Sequence, residues 1–118
     1  LAVTQSAVRS PRLTATVTAA QIALQRSGLT PADLAVVEAN ESFAVSPLLL
    51  TRELGLDPAI VNPHGGSVAT GHPLGASGGM LLTDAPAELE RTDKDYALLT
   101  IPGALGLGAA AVIARLIS

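Results

Sequence analysis

Between Asn62 and Gly78 the chain reads Asn-Pro-His-Gly-Gly-Ser-Val-Ala-Thr-Gly-His-Pro-Leu-Gly-Ala-Ser-Gly. Gly65, Gly66, Gly71, Gly75 and Gly78 admit positive φ and close backbone approach, so this segment reads as a long loop running into a helix rather than as one regular element. His72 stands between Gly71 and Pro73. The proline ring fixes its own φ and biases the preceding histidine towards an extended conformation. An imidazole held that way can donate to a developing oxyanion or move a proton near neutral pH. The spacing suits a catalytic loop and equally suits a glycine-rich turn whose histidine is merely a satisfied polar group.

The rest of the chain alternates strand and helix signals around that loop. Leu1–Val8 reads as a first strand, and Ser10-Pro11 marks a loop. Thr16–Ser27 carries Val17, Ala20, Ile22, Ala23 and Leu24 at helical spacing and closes at Gly28. Thr30, Pro31 and Asp33 form the signature of a short helix start, and Leu34–Glu38 reads as a buried strand that delivers Asn40. Glu41–Leu54 follows as a helix ending at Gly55, with Pro47 early in it. Ile60–Asn62 is expected as a short strand, and Gly75–Glu90 as a helix that Asp84 and Pro86 interrupt. Ala76, Met80, Leu81, Leu82, Ala85 and Leu89 make that helix apolar over most of its circumference, the pattern of a helix buried between layers. Tyr96–Ile101 and Ala109–Ile117 read as two strands joined through Pro102-Gly103. The fold class is therefore α/β, three layers with a mixed sheet and helices on both faces, in one domain spanning residues 1–118.

Composition narrows the function. The chain has 118 residues, a net charge of −3 and no basic run, which argues against nucleic acid and against an electrostatic hold on anionic membrane. Aromatic residues are 2% of the total, too few for a base-stacking platform. Pro102 and the glycines after it break the apolar C-terminal stretch, so no membrane helix is expected. A strand-like start without a charged, then apolar leader gives a cytoplasmic location as the default. Cysteine is absent, which excludes disulfides and thiolate metal sites, and His64 with His72 lacks the further ligands a metal needs. Charged residues are 14%; so thinly charged a surface invites a partner.

Gly71-His72-Pro73-Leu74-Gly75-Ala76-Ser77-Gly78, preceded by Asn62-x-x-Gly65-Gly66, closely resembles the histidine loop of the thiolases, which make or cleave 3-oxoacyl-CoA. Val37-Glu38-Ala39-Asn40-Glu41-Ser42-Phe43-Ala44 resembles the thiolase Asn-Glu-Ala-Phe element, with Ser42 where alanine is common. The resemblance covers essentially the whole chain and corresponds to the C-terminal of the two similar halves of a complete thiolase.

That resemblance implies a nucleophilic cysteine on an N-terminal half, with this chain supplying the histidine and asparagine loops to an acyl-CoA site. His72 would donate to the thioester oxygen and help activate the nucleophile. Asn40 would hold a water in the same oxyanion site. Phe43 would line the acyl or pantetheine pocket, or else pack in the core, and Glu41 would orient the asparagine loop or sit solvated at a helix start. His64 stands where the family usually has a small polar residue and receives no role. The family's second cysteine aligns with Pro102, which can neither give nor take a proton, and Ala104 replaces the glycine whose N–H forms the other oxyanion hole. No cofactor is implied, since the coenzyme A thioester is the substrate. The implied partners are acyl-CoA or CoA and an N-terminal half or thiolase-like subunit, in a homo- or hetero-oligomer whose interface includes the 75–90 helix. Met80, Leu81, Leu82 and Leu89 are expected to lack cover within the chain. The chain alone, having no thiol, is expected to be inactive. The alternatives are a non-catalytic thiolase-fold partner or a truncated fragment.

Overall fold

The computed structural model describes residues 1–8 and 13–116; Ser10-Pro11 and the end of the last expected strand lie outside them. In chain order the elements are β1 (Ala2–Ala7), α1 (Ala15–Ser27), β2 (Val36–Ala39), α2 (Val45–Leu54), α3 (Ser67–Thr70), α4 (Ser77–Thr92), β3 (Tyr96–Pro102) and β4 (Leu107–Ala114). The sheet order is β1-β4-β3-β2, with β2 parallel to β3 and the other pairs antiparallel. It is the mixed sheet expected from the sequence.

Strand alternation sorts the side chains between two cores. Val37 and Ala39, Leu98, Ala110 and Val112 face α1 and α2, where they pack with Ala20, Leu24 and Leu50. Val36, Ala97 and Leu99 face α4 and meet Leu81, Ala85 and Leu89. α1 is rich in alanine, so it can lie close to the sheet, and the hydroxyls of Thr4 and Ser6 on β1 donate to the carbonyls of Ala19 and Ala15. Its C-terminus closes on Gly28 at φ 73°, as the sequence suggested. The Thr30–Asp33 capping box also forms, with Thr30 N donating to Asp33 Oδ2 at 2.7 Å and opening the 3₁₀ turn Pro31–Asp33.

Four expectations are corrected. Ile60–Asn62 makes only a single bridge, Val37 to Val61, instead of a strand. α2 begins at Val45 rather than Glu41, because Asn40 and Glu41 are drawn into contacts with the histidine loop. Pro47 then falls in its first turn, where its missing N–H has no intrahelical acceptor to lose. α4 runs through Asp84 and Pro86 without a break; the carbonyl left unpaired by the proline belongs to Leu82, which is 54% exposed and can be hydrated. Lastly, Leu81 and Leu89 are covered within the chain, because residues 81, 85 and 89 share one helical face that lies on β2 and β3. Leu82 points away from it and Met80 is half-buried at a cavity wall.

α4 covers only the β2–β3 side of its face. Beyond it, Leu1, Val3, Leu82, Ile101, Ala111 and Ile113 line an apolar trough over β1 and β4. Among the described residues no helix is long and apolar enough to cross a membrane.

Helix and sheet approach closely at Gly108, where a Cβ would come within 2.6 Å of the backbone of Ala15 and Thr16. Gly108→Ala is therefore expected to push α1 off β4 and destabilise the fold by roughly 1–3 kcal/mol, read as a lowered denaturation midpoint. Gly79→Ala, with nothing within 4 Å of the new Cβ and a position inside α4, is the comparison and is expected to stabilise by roughly 0.5–1 kcal/mol.

Candidate functional site

β2 ends at Ala39, and the chain beyond it is organised by Asn62. The main-chain N–H of Asn62 donates to Val37 O at 2.8 Å. Its side chain then takes over from the backbone: Oδ1 accepts from Ala39 N at 2.7 Å and Nδ2 donates to Ala39 O at 2.9 Å. The second Nδ2 hydrogen goes to Glu41 Oε1 at 3.0 Å. One amide thus replaces a strand along the free edge of β2. This requires Asn62 to stand at φ 46°, a conformation asparagine tolerates better than most residues.

Glu41 carries the connection into the histidine loop. Its Oε2 accepts from Val68 N at 2.9 Å, at the start of α3. Gly66 makes room for that carboxylate, whose atoms lie 2.6–2.9 Å from where a Cβ would sit. Of the two readings of Glu41, the orienting one matches these contacts.

Asn40 and His72 are brought together. Asn40 N extends the β2–β3 ladder by donating to Thr100 O, and its side chain is 2% exposed. Oδ1 accepts from Ser67 Oγ at 2.7 Å, and Nδ2 donates to Ser42 Oγ at 2.9 Å and lies 3.4 Å from His72 Nδ1. His72 Nδ1 is also 2.7 Å from Ser77 Oγ, which donates to Pro73 O at 2.9 Å. Nδ1 is thus held between Ser77 Oγ and Asn40 Nδ2, and Nε2 is the ring nitrogen left without a protein hydrogen bond among the described residues, on a residue exposed to solvent. An imidazole anchored at one nitrogen in this way keeps the other for proton transfer or hydrogen bonding.

The other expected residues stand apart. Phe43 is 63% exposed, which removes the core-packing reading. Ala104 is exposed in the 3₁₀ turn Ala104–Gly106 between β3 and β4, and Pro102 is buried at the end of β3, opposite Gly108. No hydrogen bond among the described residues links this turn to His72. Asn62, Ser67 and Ser77 are the supporting residues that spacing alone did not single out. Ser77 had a signal, a hydroxyl at the foot of the helix that follows Pro73.

Beside Asn40 a cavity of about 360 Å³ opens between β2, the histidine loop and α4. His64 lies on its wall: Nε2 donates to Glu88 Oε2 at 2.7 Å, and Arg91 donates to both oxygens of Glu88 at 2.7 Å. Those hydrogen bonds, from Arg91 first and then His64, hold Glu88 down at about 2. Glu38, on the same face of β2 as Asn40, is in the opposite situation. Burial pushes its carboxyl up to about 7, the charges of Asp84, Glu88 and Glu41 adding to the rise and His64 opposing it.

Residues 2–115 match the family described as thiolase, C-terminal domain. The chain belongs to the thiolase family. It is 47% identical over 100 residues to a β-ketothiolase of Cupriavidus necator, covering 85% of this chain and 25% of that protein. It is 46% identical to a probable acetyl-CoA acetyltransferase of Mycolicibacterium smegmatis, over 79% of this chain and 24% of the relative. With a β-ketoadipyl-CoA thiolase of Acinetobacter baylyi identity is 47%, over 78% and 23%. This thiolase domain thus spans about a quarter of the length of the curated relatives it matches.

The state of Glu38 gives a pH-dependent test. A carboxyl whose folded pKa is raised from 4.5 to about 7 binds more protons folded than unfolded between those values, so its contribution turns against folding as pH rises through that window. Glu38→Gln is expected to leave stability nearly unchanged at pH 4.5 and to raise it at pH 8, by on the order of 1–3 kcal/mol. Urea denaturation at the two pH values measures the difference, and an equal effect at both would refute the assignment.

Proposed function

We propose that this thiolase domain supplies the histidine and asparagine loops to an acyl-CoA acyltransferase site, completed by an N-terminal half or subunit that brings the nucleophilic cysteine. The observation that carries this reading is His72 Nδ1 anchored 2.7 Å from Ser77 Oγ and 3.4 Å from Asn40 Nδ2, which leaves Nε2 of this exposed residue without a protein hydrogen bond among the described residues. The sequence holds no thiol of its own.

In this reading Nε2 takes the proton of the partner's thiol as its sulfur attacks the 3-oxo carbon of the substrate. The imidazolium formed then donates an Nε2 hydrogen bond to the oxygen on which charge develops. Collapse of the adduct breaks the bond between C2 and C3, leaves the acyl group on sulfur and releases acetyl-CoA as its enolate, which takes up a proton; the thiol of a second CoA then accepts the acyl group. Asn40 is a positioning residue: Oδ1 is on Ser67, one Nδ2 hydrogen is on Ser42, and Nδ2 lies 3.4 Å from His72 Nδ1, so the amide fixes the imidazole beside the oxyanion site, where it would also orient a water. Phe43, exposed next to Ser42, is suited to a pantetheine or acyl wall. The Ala104 N–H is the proposed second oxyanion donor. The coenzyme A thioester enters as substrate, and no cofactor takes part. The apolar trough beside α4 is the proposed seat of the other half, since burying side chains such as Val3 and Leu82 is worth roughly 1.5–3 kcal/mol each.

Pro102 favours a second reading. It occupies the position aligned with the family's second cysteine and is buried in the β3–β4 ladder, so the general acid/base step assigned to that cysteine has no group here. A loss of about 10²–10⁴-fold follows from removing such a group, and a thiolase-fold partner that assembles without catalysing would tolerate it.

Joining the chain to a thiolase N-terminal half, by mixing or by fusion, separates the two. Acetoacetyl-CoA thiolysis is expected from the assembled pair and not from the chain alone. His72→Ala should lower the assembled rate by about 10²–10³-fold, and Asn40→Ala should lower it as well, with sedimentation of the pair unchanged. Wild-type rates in both variants would select the non-catalytic partner.

The docking face has its own test. Leu82→Lys is expected to weaken association at least tenfold while far-ultraviolet circular dichroism stays the same, because the side chain lies outside both cores. Undiminished association in this variant would move the interface elsewhere.

A further inference from the structure

The cavity beside Asn40 shares Asn40, Ser67 and Ser77 with the proposed acyl-transfer site, but its Glu38, His64, Asp84 and Glu88 have no part in that reading. Its walls include Glu38, His64, Ser67, Met80, Asp84 and Glu88. Glu38 is 3% exposed and faces into it. Among the described residues its carboxylate has neither a hydrogen bond nor an ion pair, although a buried carboxylate ordinarily has both. The nearby cations are directed at another carboxylate: Arg91 gives Nε and Nη2 to Glu88, and His64 gives Nε2 to the same group. Asp84, exposed at the mouth, is likewise without an ion pair among the described residues. Three carboxylates therefore line a pocket with one guanidinium, and that guanidinium is spent on the third. The pocket's size lies within the range of small-ligand sites.

From this we infer that the cavity is a binding site for an organic cation, a guanidinium or primary ammonium head on a short aliphatic stem. The head would lie between Glu38 at the floor and Asp84 at the mouth, and the stem would run along Met80. Carboxylates paired with such a head form charge-assisted hydrogen bonds, which is what Glu38 lacks. A metal ion is a poorer fit, since among the described residues no three His, Asp or Glu side chains converge as metal ligands. The cation could arrive as a free amine or as a lysine or arginine side chain of a docking protein; the chemistry is shared.

The probe is n-butylguanidinium, with the uncharged n-butylurea as its shape control, titrated into the 118-residue chain and followed by amide NMR and calorimetry. Saturable shifts are expected at His64, Ser67 and Asp84 with the cation and none with the urea. Glu38→Gln should weaken binding at least tenfold and Asp84→Asn about threefold; the second residue is exposed, so that variant tests the site even if the first disturbs folding. Because the cation selects the ionised carboxylate, binding at pH 6 should release close to one proton in the wild type and none in Glu38→Gln, and affinity should rise about tenfold between pH 6 and pH 8. Binding that disappears once an N-terminal half is docked assigns the site to a partner side chain, and binding that persists assigns it to a free amine. Equal binding of the urea, unchanged affinity in Glu38→Gln, or no saturable shift up to about 10 mM would overturn the inference. None of these outcomes depends on whether the assembled protein transfers acyl groups.

Discussion

The amide of Asn62 is the joint on which the site depends. β2 is an edge strand only four residues long, and short edges fray unless something pairs them. By satisfying both the N–H and the C=O of Ala39, this one side chain ends the sheet cleanly and holds the histidine loop against the asparagine loop. It also accounts for the glycines. Gly66 gives the Glu41 carboxylate space, and Gly65 and Gly71, at φ 86° and 90°, turn the chain around α3 so that His72 returns to Asn40. A substitution at Asn62 would release two loops together, although it touches neither reactive group.

Within that frame the two loops have different physical characters. Asn40 is buried and tied through two serines; His72 is exposed and restrained at one ring nitrogen only. This division suits acid–base chemistry. The buried amide is fixed without titrating, and the exposed imidazole keeps Nε2 without a protein partner among the described residues. Ser77 does more for the histidine than fill a hydrogen-bond position, since it contacts both His72 Nδ1 and Pro73 O and so ties the ring to the first turn of α4.

Much of this was legible in the sequence, and the misses have physical causes. The order of elements, the mixed sheet, the Gly28 cap and the Thr30–Asp33 box follow from period and local chemistry, which act over a few residues. The family match and the pairing of Asn40 with His72 were carried by two motifs. Ile60–Asn62 misled because an apolar pair before a polar residue looks like a strand, whereas here the third residue pairs through its side chain. α4 misled for a related reason: counting apolar residues suggested burial all round, but positions 81, 85 and 89 alone meet the sheet. Glu38 could not be read at all. Its unpaired burial depends on Asp84 and on what Arg91 and His64 are already bonded to, distant relations that no local pattern encodes.

Ser77 has two attachments that are usually separate. It is the first residue of α4 and also the group from which the His72 ring hangs. α4 in turn forms one bank of the uncovered trough through Leu82. The helix therefore has the imidazole's anchor at one end and the apolar trough along its side. Ser77 and Leu82 are five residues apart on one rigid element, so the position of the histidine ring and the shape of the trough are set by the same helix.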